Sequence, residues 1–219
     1  ALEAVALRAT ADMTDTDSLL RAWETALDTP LSSVRALIIG VAGPVDPEGT
    51  ARLSNAALAV SQRAAAERFG VRRCRVVNDF ITEAYACLTP VGSRAVRLFG
   101  PPAPDPGGVT GPESGPVAVL GAGTGLGTAW LMPGWDATGR TCLRALPSEF
   151  GHAPFPFEGR EELDFAAFAR EALHRRVLSA DDVVTGRGVA LLHAFLSGER
   201  LSEAEAAAKL CGHEEGLRW

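Results

Sequence analysis

The sequence predicts an α/β fold, and three observations carry that prediction. A nearly continuous apolar run over residues 34–42 stops at Gly43-Pro44, the pattern of a strand covered on both faces. Helix-period and strand-period segments then alternate as far as residue 88. Beyond residue 116, two strand-like runs flank a stretch with glycine at four alternate positions.

Composition narrows the class further. With 219 residues the chain can bury roughly 70% of its unfolded surface. At 47% hydrophobic and 22% charged residues it has the make-up of a globular protein. No apolar run approaches the roughly 20 residues that span a bilayer, so no membrane association is expected. The formal net charge is -6 and basic residues do not cluster, which argues against nucleic acid as a partner. Cys74, Cys87, Cys142 and Cys211 stand far apart without CxxC pairing, and no signal peptide opens the chain. A reducing, cytoplasmic setting is expected.

Each element follows from local pattern. Leu19, Leu20, Trp23 and Leu27 recur on one helical face, predicting a helix over 18–27 capped by Thr16 or Asp17. After the buried strand and a short segment around Arg52 and Leu53, a helix is expected over 61–69, closed by Gly70. A strand over 74–77 and a helix over 80–88 complete the alternation. Thr89-Pro90 must stop that helix, which places a domain boundary there, giving 1–89 and 90–219. Residues 101–116 hold six prolines and four glycines and read as a surface loop. Strands follow over 117–120, 128–132 and near 142–145, then helices over 161–176, 189–196 and 202–210. A short turn begins at Ser179, and Ser202 with Glu205 forms a capping box for the last helix.

Three clusters could carry chemistry. In Gly121-Ala-Gly123-Thr124-Gly125-Leu-Gly127 the dinucleotide fingerprint fails on spacing, and the lysine of a P-loop is missing. A strand follows where both motifs need a helix. Strand, glycine turn and strand can instead bring backbone N–H groups against a polyphosphate, through positive φ, with the Thr124 hydroxyl beside them. An ordinary tight hairpin is the plainer alternative. Asn78-Asp79-Phe80 lies where a strand ends and a helix begins, the place where α/β folds gather ligands. Asp79 is a candidate general base there, and the competing account is that Asn78 or Asp79 merely caps the helix. In Leu146-Pro-Ser-Glu149-Phe-Gly-His152, a carboxylate and an imidazole three residues apart can hydrogen-bond a polyol, or simply make the loop polar. No residue set reads as a metal site, and Cys211-x-His213 is a weak candidate for one.

Taken in order, these clusters resemble the bacterial glucokinase family of the hexokinase and actin-like ATPase superfamily. The likeness covers nearly the whole chain. Residues 36–44 look like the family's second buried strand, Leu53-Ser-Asn55 like its sugar loop, and Val77-Asn78-Asp79-Phe80 like the catalytic strand end. Residues 120–127 are similar to its second phosphate motif, 146–152 to a sugar-binding loop, and 179–188 to a segment with a further acidic sugar ligand.

The resemblance implies an actin-like ATPase (ribonuclease H-like) two-domain sugar kinase fold. It implies transfer of a phosphoryl group from ATP, carried with Mg2+, to the 6-hydroxyl of glucose. Asp79 would take the proton, and Asn55, Asn78, Glu149, His152 and Asp181 would hold the sugar. Gly121, Gly123, Thr124 and Gly125 would approach the phosphate. Asp181 stands where the family usually has Glu, and Phe150 where it usually has Gly. The family's opening Asp-x-Gly-Gly-Thr hairpin and its closing adenosine-binding part have no counterpart in these residues. The expectation is a chain incomplete at both ends that does not phosphorylate glucose by itself. The alternative is an inactive sugar-binding fragment or pseudokinase. A homodimer is compatible with the resemblance.

Overall fold

The structure is a computed structural model that describes residues 13–53, 57–90, 92, 95, 96, 98 and 115–211, the last two without their side chains at 210 and 211. Expectations at Asn55, at most of 101–116 and at 212–213 lie outside those residues. The chain divides into two compact units, Ala1–Thr110 and Gly111–Trp219.

In the first unit, α1 (Thr16–Leu27) is capped one residue before Thr16, the nearer of the two expected caps. The N-cap is Asp15, whose carboxylate accepts from the Ser18 amide while the Ser18 hydroxyl accepts from the Asp15 amide. This reciprocal pair satisfies two amides, one more than a lone cap at Thr16 or Asp17 would. A 3-10 turn at Leu31–Ser33 leads into β1 (Leu37–Val41). Next comes a hairpin that periodicity alone did not reveal, β2 (Thr50–Arg52) with β3 (Ala59–Ser61). Its entry turn is built on Asp46, which accepts from the Thr50 amide at 2.7 Å. Helix α2 (Gln62–Phe69) is capped by Ser61 and ends on Gly70 in the left-handed region at φ 64°.

Strand β4 (Cys74–Asn78) runs parallel to β1, with Leu37 opposite Cys74 and Val41 opposite Asn78. Helix α3 (Asp79–Ala86) follows without a break. Leu20, Ile39, Val41, Val60, Ala65 and Val76 form the core of this unit. The expectation that β1 is covered on both faces holds only in part: Ile39 and Val41 are buried on one face, while on the other α3 packs at Gly40 but Ile38 is 63% exposed. An unbroken apolar run shows a strand's preference for burial, not how many neighbours cover it.

The second unit opens with an antiparallel meander of β5 (Val117–Ala122), β6 (Leu126–Trp135) and β7 (Thr141–Ser148). All three strands are longer than local pattern predicts, because cross-strand pairing extends them to Trp135↔Thr141 and Ala122↔Leu126. One face buries Ala129, Leu131 and Leu143, while Leu120, Trp130 and Leu146 on the other are exposed. A 3-10 turn at Phe150–His152 leads to α4 (Gly159–Leu173), α5 (Ala180–Val183), α6 (Gly186–Ser197) and α7 (Glu203–Cys211). The expected Ser202–Glu205 capping box is present, with the Ser202 amide donating to Glu205 at 2.8 Å. A second core of Phe165, Ala166, Ala169 and Leu178 is walled by Phe157, Phe168 and Phe195, with the Phe165 and Phe195 rings edge-to-face at 5.7 Å.

Candidate functional site

Two parallel strands ending side by side place their following loops together, and β1 and β4 do this in the first unit. At the end of β4, Asn78 takes the capping role: its side-chain oxygen accepts from the Phe80 amide at 3.0 Å. Its amide nitrogen donates to the Gly43 carbonyl at 3.3 Å, tying the end of β4 to the end of β1. Asp79 is the first helical residue, half-buried, with Oδ1 accepting from the Phe80 amide at 3.0 Å. Its Oδ2 has no hydrogen-bond partner among the described residues. Helix α3 comes close to β1 at Gly40, where a Cβ would lie 3.0 Å from the Thr82 hydroxyl and 3.4 Å from the Asp79 Cα.

In the second unit the glycine turn is the three residues Gly123-Thr124-Gly125 between the last pair of β5 and β6, Ala122↔Leu126. None of its flanking or central glycines, Gly121, Gly123, Gly125 and Gly127, lies in the left-handed region, which corrects the expectation of positive φ. Their value is lack of bulk. A Cβ at Gly125 would meet Asp181 Oδ1 at 3.0 Å, whereas one at Gly123 would meet nothing within 4 Å. The Gly123 amide is spent inside the turn, donating to the Gly125 carbonyl at 2.9 Å. The amides of Thr124 and Gly125 and the Thr124 hydroxyl have no partner among the described residues, and all three turn residues are exposed. An exposed turn with two backbone donors and a hydroxyl over open space suits a phosphate group.

Glu149 and His152 lie on the loop that leaves β7, facing each other at 3.6 Å, each side chain 70% exposed. Phe150, between them, is also exposed. The loop rests on the hairpin at Gly151, where a Cβ would lie 2.2 Å from the Leu126 carbonyl oxygen. Only a residue without a side chain allows that approach.

Asp181 touches the same hairpin residue. Its Oδ1 accepts from the Leu126 amide at 2.6 Å, and its Oδ2 pairs with Arg187 at 2.9 Å. The Gly186 amide donates to the Gly123 carbonyl at 3.0 Å. Behind Asp181 lies Asp182, fully buried, taking two hydrogen bonds from Arg175 at 2.7 and 2.8 Å and others from the Ser179 amide and hydroxyl. Burial works against the charged Asp182 carboxylate, but the Ser179 donors and Arg175 more than offset it and hold its pKa below the ordinary carboxylate value. Sequence reasoning missed this network. The one local sign of it is Ser179 three residues before Asp182, the spacing of a capping box.

Within the second unit, therefore, the glycine turn, the Glu149–His152 loop and the Asp181 segment all meet at Leu126. Asn78 and Asp79 belong to the first unit. Asn55 lies outside the described residues.

The α/β fold is one shared with solved sugar kinases. A glucokinase from Balamuthia mandrillaris, solved in complex with glucose, superposes with a TM-score of 0.67 at 23% identity, over 92% of this chain and 58% of that one. A glucokinase from an Antarctic psychrotroph gives 0.65 at 23% identity, over 94% and 61%. Residues 2–213 match the glucokinase family, and the chain belongs to it. Relatives include the glucokinases of Synechocystis sp., 29% identical over 78% of this chain and 44% of theirs, and of Yersinia enterocolitica, 31% identical over 86% and 54%. The chain thus spans about half the length of the curated relatives it matches.

Proposed function

We propose that the chain carries the sugar-binding and proton-accepting part of an ATP-dependent glucokinase. In this reading Asp79 Oδ2 takes the proton of the glucose 6-hydroxyl as that oxygen attacks the γ-phosphorus, and ADP leaves with glucose 6-phosphate as the other product. Asn78, Asn55, Glu149 and His152 hold the hydroxyls of the ring. The nucleotide supplies the phosphoryl group and comes with magnesium. Toward it this chain offers the amides of Thr124 and Gly125 and the Thr124 hydroxyl, and Gly121 and Gly123 keep that approach free of side chains.

The observation that carries the reading is the division of labour at the end of β4. Asn78 already caps α3, so Asp79 is not needed there and keeps one carboxylate oxygen uncommitted among the described residues. Glucose as substrate is supported by the family and by the sugar in the Balamuthia mandrillaris relative. A cytoplasmic setting accords with free thiols at Cys74, Cys87 and Cys142, and no helix among the described residues is long and apolar enough to cross a membrane.

A coupled assay of ADP release on the intact protein tests the reading. Glucose-dependent turnover on the order of 1–100 per second is expected. Glucose binding without any turnover would instead make this a sugar-binding module.

A further inference from the structure

Asp181 stands where the resemblance puts a sugar ligand, yet its side chain is only 14% exposed and both its oxygens are engaged by protein. Oδ1 holds an amide 55 residues away at the foot of the glycine turn, and Oδ2 holds Arg187. We propose that Asp181 is a positioning residue: a latch that fixes the Gly123–Gly125 turn in its phosphate-binding shape through the Leu126 amide, with Arg187 as its counterion. The claim that the turn receives phosphate rests on the function proposed above; the latch itself does not.

Five features fit a latch. Leu126 is the first residue of β6, so fixing its amide fixes where the turn closes. The 2.6 Å contact is charge-assisted, the stronger class of hydrogen bond. Gly125 leaves the carboxylate room, since even a Cβ there would press on Oδ1. Arg187 cannot drift, because it also lies 3.5 Å from the buried Asp182, which Arg175 anchors in turn. The Gly186 amide holds the Gly123 carbonyl, so the same segment grips both ends of the turn. The shorter Asp has a structural use here. Its carboxylate reaches the hairpin from the first turn of α5, and the Thr185 hydroxyl donates to its carbonyl at 2.7 Å.

The test compares Asp181→Ala with Asp181→Asn in the intact protein by amide exchange, glucose calorimetry and ATP kinetics. Losing a charge-assisted bond should speed Leu126 exchange about 10-fold or more in Asp181→Ala, while glucose Kd stays within about twofold. The ATP KM should rise by about 10-fold, with a smaller change in kcat. Asn can still accept from the Leu126 amide, so Asp181→Asn should recover most of the protection and bring the ATP KM within about threefold of the parent protein. It also serves if the alanine variant does not fold. The proposal is overturned if Leu126 exchange is unchanged in Asp181→Ala, or if glucose Kd weakens about 10-fold in Asp181→Asn with exchange still slow, as for a direct sugar ligand. If the parent protein has no ATP turnover, the proposed function fails while the exchange result still decides the latch.

Discussion

Asp79 lies one residue past a helix cap, and that offset separates two tasks a short carboxylate could perform. Since Asn78 already accepts from the Phe80 amide, replacing Asp79 by Asn or Ala should leave α3 in place. The kcat should nonetheless fall by roughly two to four orders of magnitude, with glucose affinity little changed, because a general base acts in the transition state. A variant keeping a tenth of the activity would show that Asp79 only supports the helix. Glu149 and His152 carry the complementary prediction: Glu149→Gln and His152→Ala should each weaken glucose binding by roughly 1–3 kcal/mol in calorimetry. Unchanged affinity in both would make their loop a mere connection. Asp79, Glu149 and His152 stand out in the sequence as candidates because each sits in a short motif at the end of a predicted strand. The Asp181 contact is not, since nothing local in a sequence marks a carboxylate that bonds an amide 55 residues earlier.

At the scale of elements, the helices follow their periodicity, and two of the expected caps are present, with α2 ending on Gly70 and α7 opening on its capping box. The β2–β3 hairpin escaped because strands of three residues each are too short to show alternation. Its signal was the turn chemistry of Asp46-Pro47-Glu48-Gly49, where Gly49 takes φ 75°. Strand lengths in the meander were short for a related reason: pairing, not propensity, decides where a strand stops. One tight joint between elements is Gly151 against the carbonyl of Leu126. Gly151→Ala should cost about 1–3 kcal/mol in a urea unfolding experiment, since backbone must move to admit the methyl group. Glucose affinity should drop with it, because Glu149 and His152 flank the displaced residue. A stable Gly151→Ala variant with normal affinity would mean the loop can shift freely.

At the scale of the whole molecule, the buried charge network around Asp182 ties stability to acid. Asp182 has its pKa lowered in the folded state, so its contribution to stability is present above the unfolded value of about 3.9 and is lost as pH falls through the folded one. Urea midpoints should therefore decline between about pH 5 and pH 3. Asp182→Asn should be less stable at pH 7 and show a flatter decline over that range. An unchanged slope would show that other carboxylates govern acid unfolding. Asp15, Asp136, Glu199 and Glu205 are also shifted down, but they are exposed, where water and salt screen their interactions.

The peptide linking Gly125 and Leu126 and the one linking Leu126 and Gly127 share a single α-carbon, and each is a rigid plane. The first presents its N–H to Asp181, and the second presents its C=O to Gly151. A twist at that α-carbon changes both contacts at once, so the loop proposed to hold the sugar cannot be lengthened or re-aimed without disturbing the turn beside it. On the proposed function, a redesign for another sugar should therefore change selectivity and phosphate handling together, and residues 149–152 and 181 belong in one library rather than in succession.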